Sequence, residues 1–203
     1  SIGNNSINNF KFKKIENYKI FGLEQKNNKI ILNKFKELSS ENIFFIDKKE
    51  IEKLFNSNSL VERYVVFKKY PSTINIKIEK TNFLAKINDN GKIFLIGSNG
   101  KLTPTDSGYN ELPYIFGKPS IDEFLKFKKK IDKSKFSYDQ INNLFFFQSK
   151  RWDLKLHDSI LLKLPENLTP ETLNSVHEFL ENYNGKNFTT LDARLENKFI
   201  LNE

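Results

Sequence analysis

Cysteine and methionine are both absent from this 203-residue chain. Without cysteine there is no disulfide framework, no thiolate nucleophile and no cysteine-ligated metal. That absence is neutral on compartment, because an extracytoplasmic protein need not carry disulfides. Without a methionine before Ser1, a natural amino-terminal segment is expected to be missing. No apolar run approaches the ~20 residues that a membrane-spanning helix needs, and no secretory signal pattern opens the chain. Histidine is reduced to His157 and His177. They form neither a His-x-x-x-His nor a His-Glu-x-x-His pair, so a histidine metal site is not expected and each reads as solvated or packed. Phosphate-cradling glycine loops are missing too: Gly97-Ser98-Asn99-Gly100 lacks a following Lys-Ser/Thr and reads as a turn.

Arginine is scarce. Arg63, Arg151 and Arg194 stand against 30 lysines, in a chain with 33 basic and 25 acidic residues and a net charge of +8. Lysine, asparagine (26 residues), isoleucine and phenylalanine share A/T-rich codons, so genome bias accounts for this balance without a ligand. A nucleic-acid face wants the planar fork of arginine for phosphate and base edges. A lysine-rich nucleic-acid binder is therefore a minor reading, which strongly salt-dependent DNA binding would support. Where lysine serves almost everywhere, each arginine marks a place where a point charge does not suffice.

What is present is enough for a core: 38 % hydrophobic residues and 28 aromatics, 20 of them phenylalanine, exclude wholesale disorder. The length allows one large domain or two small ones. Residues 1–14 have no apolar period and read as a tether. Tyr18–Phe21 followed by Gly22 reads as a strand and turn. Ile30, Ile31, Lys34, Phe35 and Leu38 predict a helix over 28–38. Asn42–Ile46 is a short apolar run. Asp47 fits an N-cap reciprocated by Glu50, before a second helix with Ile51, Leu54 and Phe55 on its apolar face. Val61–Phe67 and the alternating Ile74–Glu79 are strands. The first ~85 residues thus read strand–helix–helix–strand–strand, near the lower size limit of a stable domain.

The remainder leans towards β structure. Lys92–Ile96 is a strand, and Leu112–Gly117 an apolar segment between turn formers. Ile121–Ile131 predicts a basic amphipathic helix. Ser137–Gln140 looks like a second capping box leading into Ile141, Leu144 and Phe145. Trp152–Leu156 and Ile160–Leu164 alternate around Asp158-Ser159, a hairpin. Thr169-Pro170-Glu171 opens a further helix in the order N-cap, first-turn proline, first-turn acid. Phe188–Leu201 reads as one or two closing strands. Asp192 and Arg194, two apart on a strand, point the same way and read as a structural ion pair in preference to a catalytic one. A late strand is often a sheet edge, whose unpaired N–H and C=O groups can take a partner strand.

Several segments resemble one family. Leu60–Ile74 is similar to the "W-V-x-x-A-x-V-x-R-x-W-P-x-T-L" stretch of the bacterial cell-division FtsQ/DivIB family. Ile76–Lys80 resembles the strand that follows it, and Leu112-Pro113-Tyr114-Ile115-Phe116-Gly117 its Leu-Pro-x-x-x-Gly. Lys150–Leu156, then Ile160 to Glu166, is similar to "R-R-W-D-L-x-L…I-x-L-P-E" of the alphaproteobacterial branch. Leu191-Asp192-Ala193-Arg194 resembles the terminal "V-D-L-R". The order is the family's own, over roughly Tyr18 to Leu201. Departures are Leu60 for the first Trp, Asn82 for a Pro, an Ala shifted to Ala85, the changed residues around Gly97-Ser98, and Lys198 for a Gly near the closing turn.

The resemblance implies an α+β protein: a POTRA domain of β-α-α-β-β order over 15–85, then a carboxy-terminal β domain of antiparallel sheet with flanking helices over 86–203. It implies a non-enzymatic scaffold of the divisome, without cofactor, on the periplasmic side of the inner membrane at the septum. Its single-pass anchor would lie outside this chain. It implies FtsB and FtsL as partners, linking early and late division proteins to septal peptidoglycan synthesis. FtsB would pair with the edge formed by Leu195, Glu196, Asn197, Lys198 and Phe199. Lys150 and Arg151, with Arg194, would supply cations for the partner, the alternative for Arg151 being packing across its own sheet. Two other functions stand beside this one: a POTRA-type assembly factor for outer-membrane proteins, and a hydrolase, which lacks any nucleophile motif.

Overall fold

A computed structural model describes residues 15–38, 47–105, 109–183, 185, 187–195 and 198–202. The apolar run Asn42–Ile46 lies outside them. The chain divides into two compact units, the first ending at Thr81 and the second beginning at Asn82. Residue 85, the expected boundary, falls inside a strand of the second unit. Among the described residues no helix is long and apolar enough to cross a membrane.

In the first unit, β1 (Asn17–Phe21), α1 (Gln25–Leu38), α2 (Lys48–Asn56), β2 (Val61–Lys69) and β3 (Thr73–Lys80) follow the order expected of a POTRA domain. The sheet order is β1-β3-β2, with β1 parallel and β2 antiparallel to the central strand. Strand alternation sends Ile74, Ile76 and Ile78 of β3 to one face, where they are buried against Ile31 and Phe35 of α1 and Ile51 and Phe55 of α2. Helix α1 starts three residues before the expected Asn28. The Asn28 side chain accepts from the Leu23 N–H (3.2 Å) and donates to the Leu23 C=O (2.8 Å), fixing the turn into the helix. Asp47 caps α2 by accepting from the Lys49 N–H at 2.8 Å.

The second unit holds β4 (Phe83–Asp89), β5 (Lys92–Gly97), β6 (Leu102–Pro104), β7 (Tyr114–Phe116), α3 (Ile121–Asp132), β8 (Ile141–Phe146), β9 (Trp152–Leu156), β10 (Leu161–Lys163), α4 (Pro170–Asn182), β11 (Thr190–Asp192) and β12 (Ile200–Asn202). These strands form one nine-stranded sheet, ordered β12-β11-β10-β9-β8-β7-β4-β5-β6. The sheet is mixed and not wholly antiparallel: β7 runs parallel to both neighbours, and β10 runs parallel to β11. One apolar row crosses it in register: Ile87, Ile115, Leu144, Leu154, Leu162, Leu191 and Leu201. It belongs to the same core as Phe124, Phe127 and Ile131 of α3 and Leu173 and Val176 of α4.

Several elements differ from expectation. Ser137 makes no side-chain cap; Tyr138–Gln140 is a single 3-10 turn, and Ile141–Phe146 is a strand instead of a helix. Strand β4 is an addition to the sequence reading, although Asn90 (φ 51°) and Gly91 (φ 82°) form the left-handed Asn-Gly turn that joins β4 to β5. Helix α3 has a full capping box: Ser120 accepts from the Glu123 N–H (3.2 Å), and Glu123 accepts from the Ser120 N–H (2.8 Å).

Candidate functional site

Strand β12 is one edge of the nine-stranded sheet. The Thr189 C=O and the Ala193 N–H point to β10, accepting from and donating to it at 2.9 Å. Alternation then turns Thr190 and Asp192 towards β12, where they meet Asn202 and Ile200 in register. Leu201 lies between these two and presents its N–H and C=O outwards. No strand pairs with that side among the described residues.

The edge therefore lies beyond the segment expected to form it. Arg194, Leu195, Lys198 and Phe199 belong to the connection from β11 to β12, and Glu196 and Asn197 lie outside the described residues. The connection turns back on itself. The Arg194 N–H donates to Asp192 Oδ1 (3.1 Å) and the Lys198 N–H to the Leu195 C=O (3.4 Å), satisfying donors locally in place of a ladder.

Beside this connection is an open groove of about 910 Å³. It brings together five of the eight residues singled out from sequence: Arg151, Arg194, Leu195, Lys198 and Phe199. The start of α4 supplies its other wall, including Thr169 and Glu171. Phe199 packs its ring on Phe179 of α4 with centroids 5.0 Å apart, which anchors the connection to the core. Lys150 does not line this groove. Its backbone is left-handed (φ 65°) and its ammonium pairs with Glu123 at the start of α3. That ammonium and the Ser120 N–H hold the Glu123 carboxyl down at about 2.

Both groove arginines are tethered to aspartates of the strands they adjoin. Arg151 Nε donates to Asp153 Oδ1 (3.1 Å), and its guanidinium lies 4.3 Å from the Phe147 ring centroid. Arg194 Nε donates to Asp192 Oδ1 (2.8 Å). Asp153 and Asp192 are both buried, and both lie in register with Lys163 of β10 between them. Planar forks suit this task, since two N–H groups of one side chain meet both oxygens of a carboxylate. The Nη1 atoms make no hydrogen bond among the described residues. The third arginine, Arg63, makes the same forked contact with Glu79 at 3.0 Å, across β2 and β3.

The Asp192–Arg194 pair has a pH signature. Hydrogen bonding to Arg194 is the largest influence holding the Asp192 carboxyl below its ordinary value, against an opposing effect of burial. Its stabilisation is complete above the unfolded value near ~4 and is lost as pH falls through the lower folded value. Arg194→Ala is expected to lower stability at neutral pH, modestly because the side chain is exposed. The loss should shrink in strongly acidic buffer, as read by urea denaturation across pH.

His157 and His177, separate in sequence, both line a second groove of about 830 Å³ with Asp139, Asp158 and Glu181. Sequence spacing carries no sign of that meeting. Among the described residues no group of three or more such side chains is placed to hold a metal ion.

Comparison with known proteins assigns both units. The family model described as "POTRA domain, FtsQ-type" matches residues 13–80, and "Cell division protein FtsQ/DivIB, C-terminal" matches residues 78–194. Cell division protein FtsQ of Rickettsia bellii (strain RML369-C) is 25% identical over 192 residues, covering 93% of this chain and 72% of that protein. Cell division protein FtsQ of Rhizobium meliloti (strain 1021) is 21% identical over 192 residues, covering 91% and 61%. The major extracytoplasmic domain of DivIB from Geobacillus stearothermophilus aligns with a TM-score of 0.37 at 13% identity, over 52% of this chain and 90% of that one. On the two family-model matches, which together span residues 13–194, the chain belongs to the FtsQ/DivIB family of bacterial cell-division proteins.

Proposed function

We propose that this protein is a non-enzymatic scaffold of the divisome, on the periplasmic side of the inner membrane, held by an anchor outside this chain. It binds FtsB and FtsL and connects early and late division proteins to septal peptidoglycan synthesis. The observation that carries the reading is the outward-facing Leu201 backbone on β12, beside a groove lined by Arg151, Arg194 and Lys198. A strand of FtsB adds to β12 through main-chain hydrogen bonds, and an acidic residue beside it meets the Nη1 groups that the intramolecular forks leave over. Lys198 enters the groove where the family pattern has glycine, adding a third cation.

The test is titration of a periplasmic FtsB segment against the chain, with amide exchange followed by NMR. The Leu201 amide should become protected on binding. Leu201→Pro removes the outward donor and should weaken binding by at least about tenfold, as should Arg194→Glu. Circular dichroism reports whether each variant keeps its fold. Binding of the unaltered chain without protection at Leu201 would overturn edge pairing whatever the variants do.

A further inference from the structure

The three-stranded sheet of the first unit has one face on its helices and one that they do not cover. Alternation puts Phe21 of β1 and Val65 and Phe67 of β2 on the second face, where they are 47%, 49% and 51% exposed. None of the three joins the core under the helices. Lys19, Lys69 and Lys77 share that face and are exposed. In register, Phe21–Lys77–Val65 forms one row and Lys19–Asn75–Phe67 the next. Apolar tips and ammonium groups thus alternate over the whole width of the sheet.

Charge on this face is one-sided. Its carboxylates among the described residues gather at one end: Glu79, two residues from Lys77, is forked by Arg63, and Glu62 at the β2 register shift also acts on Arg63. Lys19, Lys69 and Lys77 make no salt bridge among the described residues. A sheet presenting three half-exposed large apolar side chains is unusual for a face left in water.

We propose that this face docks flat on an anionic lipid surface. The phenylalanines enter the headgroup–acyl boundary, while the lysine stems lie along them and keep their ammonium groups at the phosphates. An acidic protein strand added to the open edge of β2 fits the pattern less well. Lys19 and Phe21 lie on β1, two strands from that edge, and such a strand would leave them unused. Only a partner as broad as the sheet engages both rows. The inference is independent of partner binding at β12.

The experiment is co-sedimentation of the 203-residue chain with vesicles of phosphatidylglycerol and phosphatidylcholine, or of phosphatidylcholine alone, over a salt series. Binding is expected on the anionic vesicles only, weakening as salt rises. Lys19→Gln with Lys77→Gln should lower partitioning roughly 25-fold, at about fivefold per lysine. Phe21→Ser with Phe67→Ser should lower it at least about tenfold. Lys118→Gln with Lys129→Gln, the same charge change in the second unit, should change it less than about threefold. No binding to anionic vesicles at low salt would overturn the proposal, as would equal losses from the two lysine pairs. So would an acidic peptide that binds through Lys19 and Lys77 when vesicles do not. If the phenylalanine variant melts early, the lysine pairs and the salt series on the unaltered chain decide.

Discussion

Trp152→Ala should destabilise the second unit by about 3–5 kcal/mol, the range for removing a large aromatic from a packed core. The indole is 6% exposed and stacks on Phe127 of α3 with centroids 4.6 Å apart and planes 18° apart. It also meets Phe146 of β8 at 4.8 Å and Phe124 of α3 at 6.3 Å. Removing it takes the shared neighbour from three rings on two elements, so no single side chain can move in to close the void. Urea denaturation followed by far-UV circular dichroism checks this. Trp152→Phe, which keeps an aromatic in place, should lose less than half as much. Equal losses would mean that packing around the ring is not what matters.

Gly22→Ala should be of comparable size in the first unit, about 3 kcal/mol or more. Two independent obstacles act on the new methyl. The backbone has φ +121°, a conformation that L side chains rarely adopt, and a Cβ there would lie 1.8 Å from the Ile78 carbonyl oxygen. That oxygen belongs to the central strand β3, whose neighbours on both sides hold it in place. Relief therefore requires β1 to move away from β3. Thermal unfolding should show the loss, together with faster amide exchange in β1 and β3. Gly91→Ala is the control: it also has positive φ, but a Cβ there would meet no atom within 4 Å, so the loss should stay near ~1 kcal/mol.

The contrast between readable and unreadable elements has particular causes. The first unit is legible because its apolar spacing is regular: 3–4 in α1 and α2, and strict alternation at Ile74, Ile76 and Ile78 in β3. The β9–β10 hairpin is legible for the same reason. Strand β8 is not, because a register shift between Ile141 and Asn143 interrupts its alternation. Ile141 and Leu144 both reach the core, three residues apart, and mimic a helical period. The Leu-Pro-x-x-x-Gly resemblance picks out Gly117 but gives no reason for it. The reason is contact: φ is +102°, and a Cβ would lie 2.4 Å from the Phe146 carbonyl oxygen.

At the candidate site, residue types are legible in the sequence and their partners are not. Arg151 and Arg194 stand out by scarcity, yet nothing local shows that both reach one groove from the ends of β9 and β11. That meeting depends on β10 being inserted between them, a long-range fact of strand order. The edge lies a few residues later than expected because pairing with β11 resumes only at Ile200, the Arg194 and Lys198 N–H groups being taken by Asp192 and Leu195. Lys150 looks equivalent to Arg151 by adjacency, but its left-handed backbone sends the ammonium to Glu123.

Strand β7 joins two groups of strands that can each assemble from local turns, β4–β5–β6 and β8–β9–β10. Its own pairings are both parallel, with only two residue pairs to β4 and three to β8. A parallel seam cannot zip outwards from a tight turn, so closing it bears the loop entropy of the intervening chain. The kinetic bottleneck of the second unit then falls at Ile115, the buried centre of β7, and not at either hairpin. Truncating Ile115 should slow folding more than it speeds unfolding, whereas changes at the β9–β10 turn should leave the folding rate nearly unmoved.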